Sequence, residues 1–146
     1  KYTALFEVPY APGELKATGI SGGIEMESVL LQTTGKASGL ELVPEQSAIR
    51  ADKNALAFIN VYAADRNGLI TSEEHSELEV KLSGPAVLQA AGNACPLHQG
   101  SFTDNRFSLF RGKGMVIVRS TGEPGAISLE VSSGGLEPAS ISLEAK

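Results

Sequence analysis

Apolar and polar residues alternate one by one along much of this chain, and turns rich in Gly, Pro, Asn and Asp interrupt the alternation at short intervals. Glu77-Leu78-Glu79-Val80-Lys81-Leu82 is the clearest run, with one wet face and one dry face. Ile127, Leu129 and Val131 alternate with Ser128, Glu130 and Ser132, and Ile141 and Leu143 repeat the pattern near the end. No segment shows a convincing helical period. Two stretches, 56–63 and 115–118, are apolar on both faces, as central strands covered on both sides are. Between the runs lie Asp52-Lys53-Asn54, Asp65-Arg66-Asn67-Gly68, Gly84-Pro85, Arg111-Gly112-Lys113-Gly114 and Gly134-Gly135. The pattern predicts an all-β fold, an antiparallel immunoglobulin-like β-sandwich, with a barrel as the lesser alternative.

The stretch "VPYAPGELKATG", residues 8–19, predicts a hairpin: Pro12 fixes its own φ, Gly13 tolerates a positive one, and apolar alternation flanks both. The 146 residues suit one domain, or one domain plus a fragment, and 42% hydrophobic residues suffice for a core. Twelve Lys plus Arg against seventeen Asp plus Glu leave a net charge of −5, which argues against nucleic acid as a partner. A single cysteine, Cys95, excludes an internal disulfide framework and a multi-cysteine zinc site. The longest apolar runs are far too short to span a bilayer, so no membrane partner is expected. With Lys1 first and no signal peptide, the chain reads as a processed product or a piece of a longer protein.

Candidate chemistry is sparse. The glutamates invite a two-carboxylate glycosidase reading, but most fall on polar strand faces or in turns, where such pairs arise by chance. His75 and His98 belong to no metal-ligand spacing, and both read as solvated loop histidines. Cys95, beside Pro96, reads as a small buried apolar residue without an activating partner. "DRNG" is too short for a calcium loop and reads as a turn, with Gly68 supplying positive φ. "RGKG" places two cations in a Gly-rich turn but lacks the context of a phosphate loop. No catalytic, cofactor or metal residue is therefore assigned. Sugar binding is the stronger competitor, because aromatic faces accept sugar rings. The chain has no Trp, three Tyr and five Phe. Phe6, Phe58 and Phe107 lie in apolar runs and are expected in the core. Tyr2, Tyr10, Tyr62, Phe102 and Phe110 remain, scattered along the sequence. Asn93, His98, Tyr10, Tyr62 and Phe102 are the candidate residues for a weak ligand site or interface loop.

The run "FEVPYAPGELKATG" closely resembles a stretch near the C-terminus of bacterial glycoside hydrolase family 2 enzymes, β-galactosidase-like ones in particular. "LLQTTGKASGLELVPEQSAIRAD", "LAFINVYAADRNGLI", "LSGPAVLQAAGN", "FRGKGMVIVRS" and "GAISLEVSSGGL" then resemble the family's terminal sandwich domain, in order. Where the family often has Gly-Asn-Gly-Asp-Pro, this chain has Gly92-Asn93-Ala94-Cys95-Pro96, without the acidic residue. The family's catalytic glutamates lie on a barrel absent from this chain, and none is carried over.

The resemblance implies that residues 1–36 are the last strands of a preceding immunoglobulin-like domain plus a linker, and 37–146 a C-terminal sandwich. It implies a non-catalytic structural role in an enzyme that hydrolyses β-galactosides or similar glycosides, periplasmic or extracellular. Its partners would be the other domains of that enzyme. A carbohydrate-binding accessory module and an adhesin-like sandwich are the alternatives. Residues 1–34 should supply about three strands with an uncovered apolar face, and a second copy of the chain is the favoured cover, giving a homodimer. In the 92–100 loop, Cys95 should be mostly buried and Asn93 bonded to loop backbone. Free mono- and disaccharides should bind no tighter than about millimolar.

Overall fold

The structure, a computed structural model, describes residues 3–97 and 100–146. It divides into two compact units, Lys1–Thr34 and Gly35–Lys146.

The first unit is an antiparallel hairpin of β1 (Glu14–Ser21) and β2 (Ile24–Gln32). Its turn is Gly22-Gly23, both at positive φ (59° and 81°), the geometry that matches strand twist in a two-residue loop. The turn expected at Pro12-Gly13 is instead a bend into β1: Gly13 has φ 131°, but residues 3–11 form no strand. Pro9 and Pro12 explain the difference, since each lacks the N–H that a ladder needs. Two strands therefore stand where about three were expected. Thr33 N donates to the Gly13 carbonyl at 2.8 Å, and Gly13 N to Thr33 Oγ1 at 3.1 Å, closing the open end. Leu15 lies opposite Leu31 and Ala17 opposite Val29, so one face is apolar towards the open end, with Gly19 and Glu27 next in the row. Phe6, expected in a core, is 75% exposed.

The second unit carries β3 (Gly39–Pro44), β4 (Ala48–Ile49), β5 (Leu56–Ala64), β6 (Glu77–Ser83), β7 (Ala86–Gly92), β8 (Arg106–Ser108), β9 (Lys113–Ser120), β10 (Gly125–Ser133) and β11 (Leu136–Ala145). One layer runs β7-β9-β5-β3 and the other β11-β10-β6-β8, each antiparallel within itself. A parallel bridge between Glu137 and Gly39 joins the layers, and β4 pairs in parallel with the end of β11. The result is the expected sandwich, nearly closed along one side. Its core comes from alternate residues of both layers: Ala57, Ile59, Val61 and Ala63 of β5, Val116 and Val118 of β9, and Ile127, Leu129 and Val131 of β10 are all at 0% exposure. Each large side chain so buried contributes roughly 1.5–3 kcal/mol.

The turns follow their chemistry. Gly84, between β6 and β7 where the chain changes layer, has φ 96°, and a Cβ there would collide with the Ala126 carbonyl. Asp65 closes the 65–69 turn: its Oδ1 accepts from Asn67 N at 2.8 Å and from Leu69 N at 3.0 Å. Its other oxygen accepts from Gly35 N at 2.7 Å. The Gly35 bond, followed by those from Leu69 and Asn67, holds the buried carboxyl below the usual carboxylate range against the opposing cost of desolvation.

One expectation needs correcting. The two-sided apolar strands β5 and β9 do lie at the centre of their layer, but only their inner face is fully buried. Phe58, expected in the core, is half-buried on the outer face, opposite Ile117. On that outer face Asn60, Tyr62, Met115 and Ile117 line a groove.

Candidate functional site

The groove is built on cross-strand rows of outer-face residues. Tyr62 of β5 lies opposite Lys113 of β9. In the next row Asn60, Met115 and Gly92 follow one another across β5, β9 and β7, and beyond it come Phe58, Ile117 and Ala90. Alternation along β5 and β9 sends Ile59, Val61, Val116 and Val118 inward, which leaves these neighbours facing out.

One wall is the loop after β7. Ala91 N donates to the Phe102 carbonyl at 2.7 Å, folding the loop back along the strand. The Phe102 ring then occupies the space where a Gly92 side chain would stand: an ideal Cβ there would be 2.5 Å from the ring. Gly92 is thus a packing requirement, not a flexible link. The start of this loop is pinned by Asn93, whose Nδ2 donates to the Ser108 carbonyl at 2.6 Å and whose Oδ1 accepts from Cys95 N at 2.8 Å. Cys95, expected mostly buried, is half-buried, because the loop lies on the surface of the layer and not inside it.

The opposite wall is the turn before β9. Phe110 and Lys113 exchange backbone hydrogen bonds at 2.9 and 3.1 Å around Arg111 and Gly112, both at positive φ (52° and 71°). Paired positive φ values mark a type I′ hairpin turn. Among the described residues Arg111 is the only non-glycine with positive φ. Gly112 admits no substitute, since a Cβ would strike the Thr71 carbonyl, and its N–H donates to the Glu74 carbonyl at 2.8 Å. The Glu74 carboxylate turns to its own segment, accepting from the Ser76 hydroxyl and from the Ser76 and His75 amides. The Ser76 hydroxyl is the main reason its pKa is lowered. The Arg111 guanidinium lies 5.7 Å from the Phe110 ring centroid, and the His75 ring meets the same Phe110 at 6.2 Å, tilted by 57°.

The open groove holds about 650 Å³, bordered by Tyr62, Phe102 and Phe110, with Arg111 and Lys113 at its edge and no carboxylate among its lining residues. Of the candidates from sequence, Tyr62, Phe102 and Asn93 come together here. Tyr10 belongs to the other unit and is 80% exposed. His98 lies outside the described residues. Phe110, Arg111 and Lys113 were readable only as an aromatic and a cationic turn; Tyr62, which shares the groove with them, is more than 45 residues away in sequence, which no local pattern reports. Among the described residues no group of three His, Cys, Asp or Glu side chains could hold a metal ion.

Comparison with known proteins agrees with this architecture. The family model for glycoside hydrolase family 2 C-terminal domain 5 matches residues 40–142. The β-galactosidase BoGH2A of Bacteroides ovatus is 26% identical over 141 residues, 97% of this chain and 17% of its own length. A family 2 glycosyl hydrolase from Bacteroides cellulosilyticus superposes with a TM-score of 0.87 at 31% identity, over 95% of this chain and 18% of that one. A β-glycosidase from Bacteroides vulgatus gives 0.85 at 26% identity, over 94% and 18%. The chain thus spans under one fifth of the length of each of these three relatives. It belongs to the glycoside hydrolase family 2 C-terminal domain 5 family.

Proposed function

We propose that this chain is the non-catalytic C-terminal part of a larger family 2 enzyme that hydrolyses β-galactosides or similar glycosides. Its sandwich packs on neighbouring domains, and its N-terminal hairpin completes the domain before it. The observation that carries this reading is the hairpin's uncovered surface. Eleven of the sixteen exposed large hydrophobic residues lie in the first unit, seven of them, from Leu15 to Leu31, on the hairpin itself. A surface of that composition belongs against other strands. In the chain taken alone, a second copy is the cover we propose.

Two carboxylates are unsuited to the part of a catalytic acid. A retaining glycosidase needs one carboxyl with a raised pKa to act as acid, beside a second at about 5–5.5 Å. The two carboxyls that stand out here, Asp65 and Glu74, are both shifted downward by hydrogen bonds to their own surroundings. The test is direct. Assayed with chromogenic galactosides, glucosides and mannosides, the chain should show no turnover. Turnover that survives repurification and disappears on replacing a single glutamate would overturn the proposal.

A further inference from the structure

We propose that the groove between Phe102 and Arg111 is a binding site for a glycan bearing carboxylated sugars, that is, uronic acid residues. The proposal rests on the chain's family membership and not on the packing role proposed above.

Three observations converge. The first is the floor and walls. Tyr62, Phe102, Phe110 and Met115 offer aromatic and apolar surface along a groove of about 650 Å³, within the range of about 300–1,000 Å³ that small ligands occupy. Aromatic planes suit the C–H faces of a pyranose ring. The second is polar capacity. Asn60 is half-buried on the groove floor, and its side-chain amide makes no hydrogen bond among the described residues; nor does the Tyr62 hydroxyl. Polar groups so placed amid apolar surface match ligand hydroxyls.

The third is charge. The chain carries five more carboxylates than cations, yet the groove presents Arg111 and Lys113 and no carboxylate. Among the described residues ion pairs are formed by Arg50, Lys81, Arg106 and Lys146, but by neither groove cation. Arg111 also keeps a positive φ that glycine would adopt at no steric cost, so the turn holds a guanidinium where backbone preference alone would not place it. A ligand with an apolar ring face, several hydroxyls and a carboxylate satisfies all three. A neutral sugar leaves the cations unused, and an acidic peptide leaves the aromatic planes unused.

The test is nitrogen–proton shift mapping of the full chain titrated with digalacturonate, methyl β-glucuronide, methyl β-glucoside, lactose and a short glutamate-rich peptide. The expected result is saturable shifts at Asn60, Tyr62, Phe102, Arg111 and Lys113 with the uronates, at least about tenfold tighter than with methyl β-glucoside, and weakening as salt rises. Arg111→Gly preserves the turn and Lys113→Gln sits on an exposed position; each should weaken uronate binding at least about threefold while leaving the remaining spectrum in place. Equal affinity for the neutral sugars overturns the proposal. So do equal binding of the peptide, shifts confined to another surface, and no saturation by about 10 mM uronate. Groove shifts that depend on protein concentration without sugar overturn it too, since they identify a protein contact. Catalytic inactivity of the chain bears on none of these readings, so this proposal and the non-catalytic role fail separately.

Discussion

Asp65 does at residue scale what no strand does here: one carboxylate joins the start of the second unit at Gly35 to the turn at 67–69. Its native pKa lies below the ordinary 3.8, chiefly because of the Gly35 amide, then the Leu69 and Asn67 amides. A depressed pKa adds stability that is complete above the unfolded value and is lost as pH falls through the native one. Thermal melts from about pH 7 to about pH 2 should therefore show a declining acid limb to which Asp65 contributes. Asp65→Asn should lower the melting temperature at neutral pH and make that limb shallower; an unchanged limb would remove Asp65 from the account. "DRNG" was legible as a turn because Asp and Gly act within four residues. The Gly35 bond was not, because it spans thirty residues of sequence.

The strands show where sequence pattern stops being informative at element scale. β6 and β10 have one wet face, and their alternation led directly to Leu78, Val80, Ile127, Leu129 and Val131 as core. β5 and β9 are apolar on both faces, which reads as double coverage; periodicity cannot separate a covered face from one that lines a groove. The turn between Phe110 and Lys113 sets that groove's edge, and its tolerance is predictable. Gly112→Ala must adopt φ 71° and place a Cβ against the Thr71 carbonyl. The strained conformation alone costs about 1–3 kcal/mol, and the clash adds to it. Gly134→Ala, with open space around its Cβ and no positive φ, should change stability by less than about 1 kcal/mol. Denaturant unfolding of both variants checks the contrast; similar losses would mean that the close approach at Gly112 relaxes freely. The misplaced hairpin at Pro12-Gly13 has the same lesson: a Pro-Gly pair marks a bend, and whether strands flank it depends on the donors that Pro9 and Pro12 remove.

At the scale of the whole molecule, the two units differ in how they meet the cost of ordering a chain. The 35–146 unit has a core drawn from both layers, with Ile59, Leu78, Ile127 and Leu129 fully buried. The hairpin has none: Leu15, Val29 and Leu31 are 48%, 64% and 62% exposed. A two-stranded hairpin is marginal in water without a covered face. The unit boundary thus predicts separable behaviour. A chain comprising residues 35–146 should unfold cooperatively, with a melting temperature within about 5 °C of the full chain, because the hairpin fully buries no apolar side chain. The full chain should self-associate with rising concentration in sedimentation, as the apolar face finds a second copy, while residues 35–146 remain monomeric. Amides of β1 and β2 should exchange with solvent at low concentration far faster than those of β5 and β9, and gain protection as association proceeds. If residues 35–146 fail to fold, the hairpin is an integral part of the sandwich and the division at Thr34 does not hold. If the full chain stays monomeric with β1 and β2 protected, the hairpin face has a cover within the chain and the second copy is not needed.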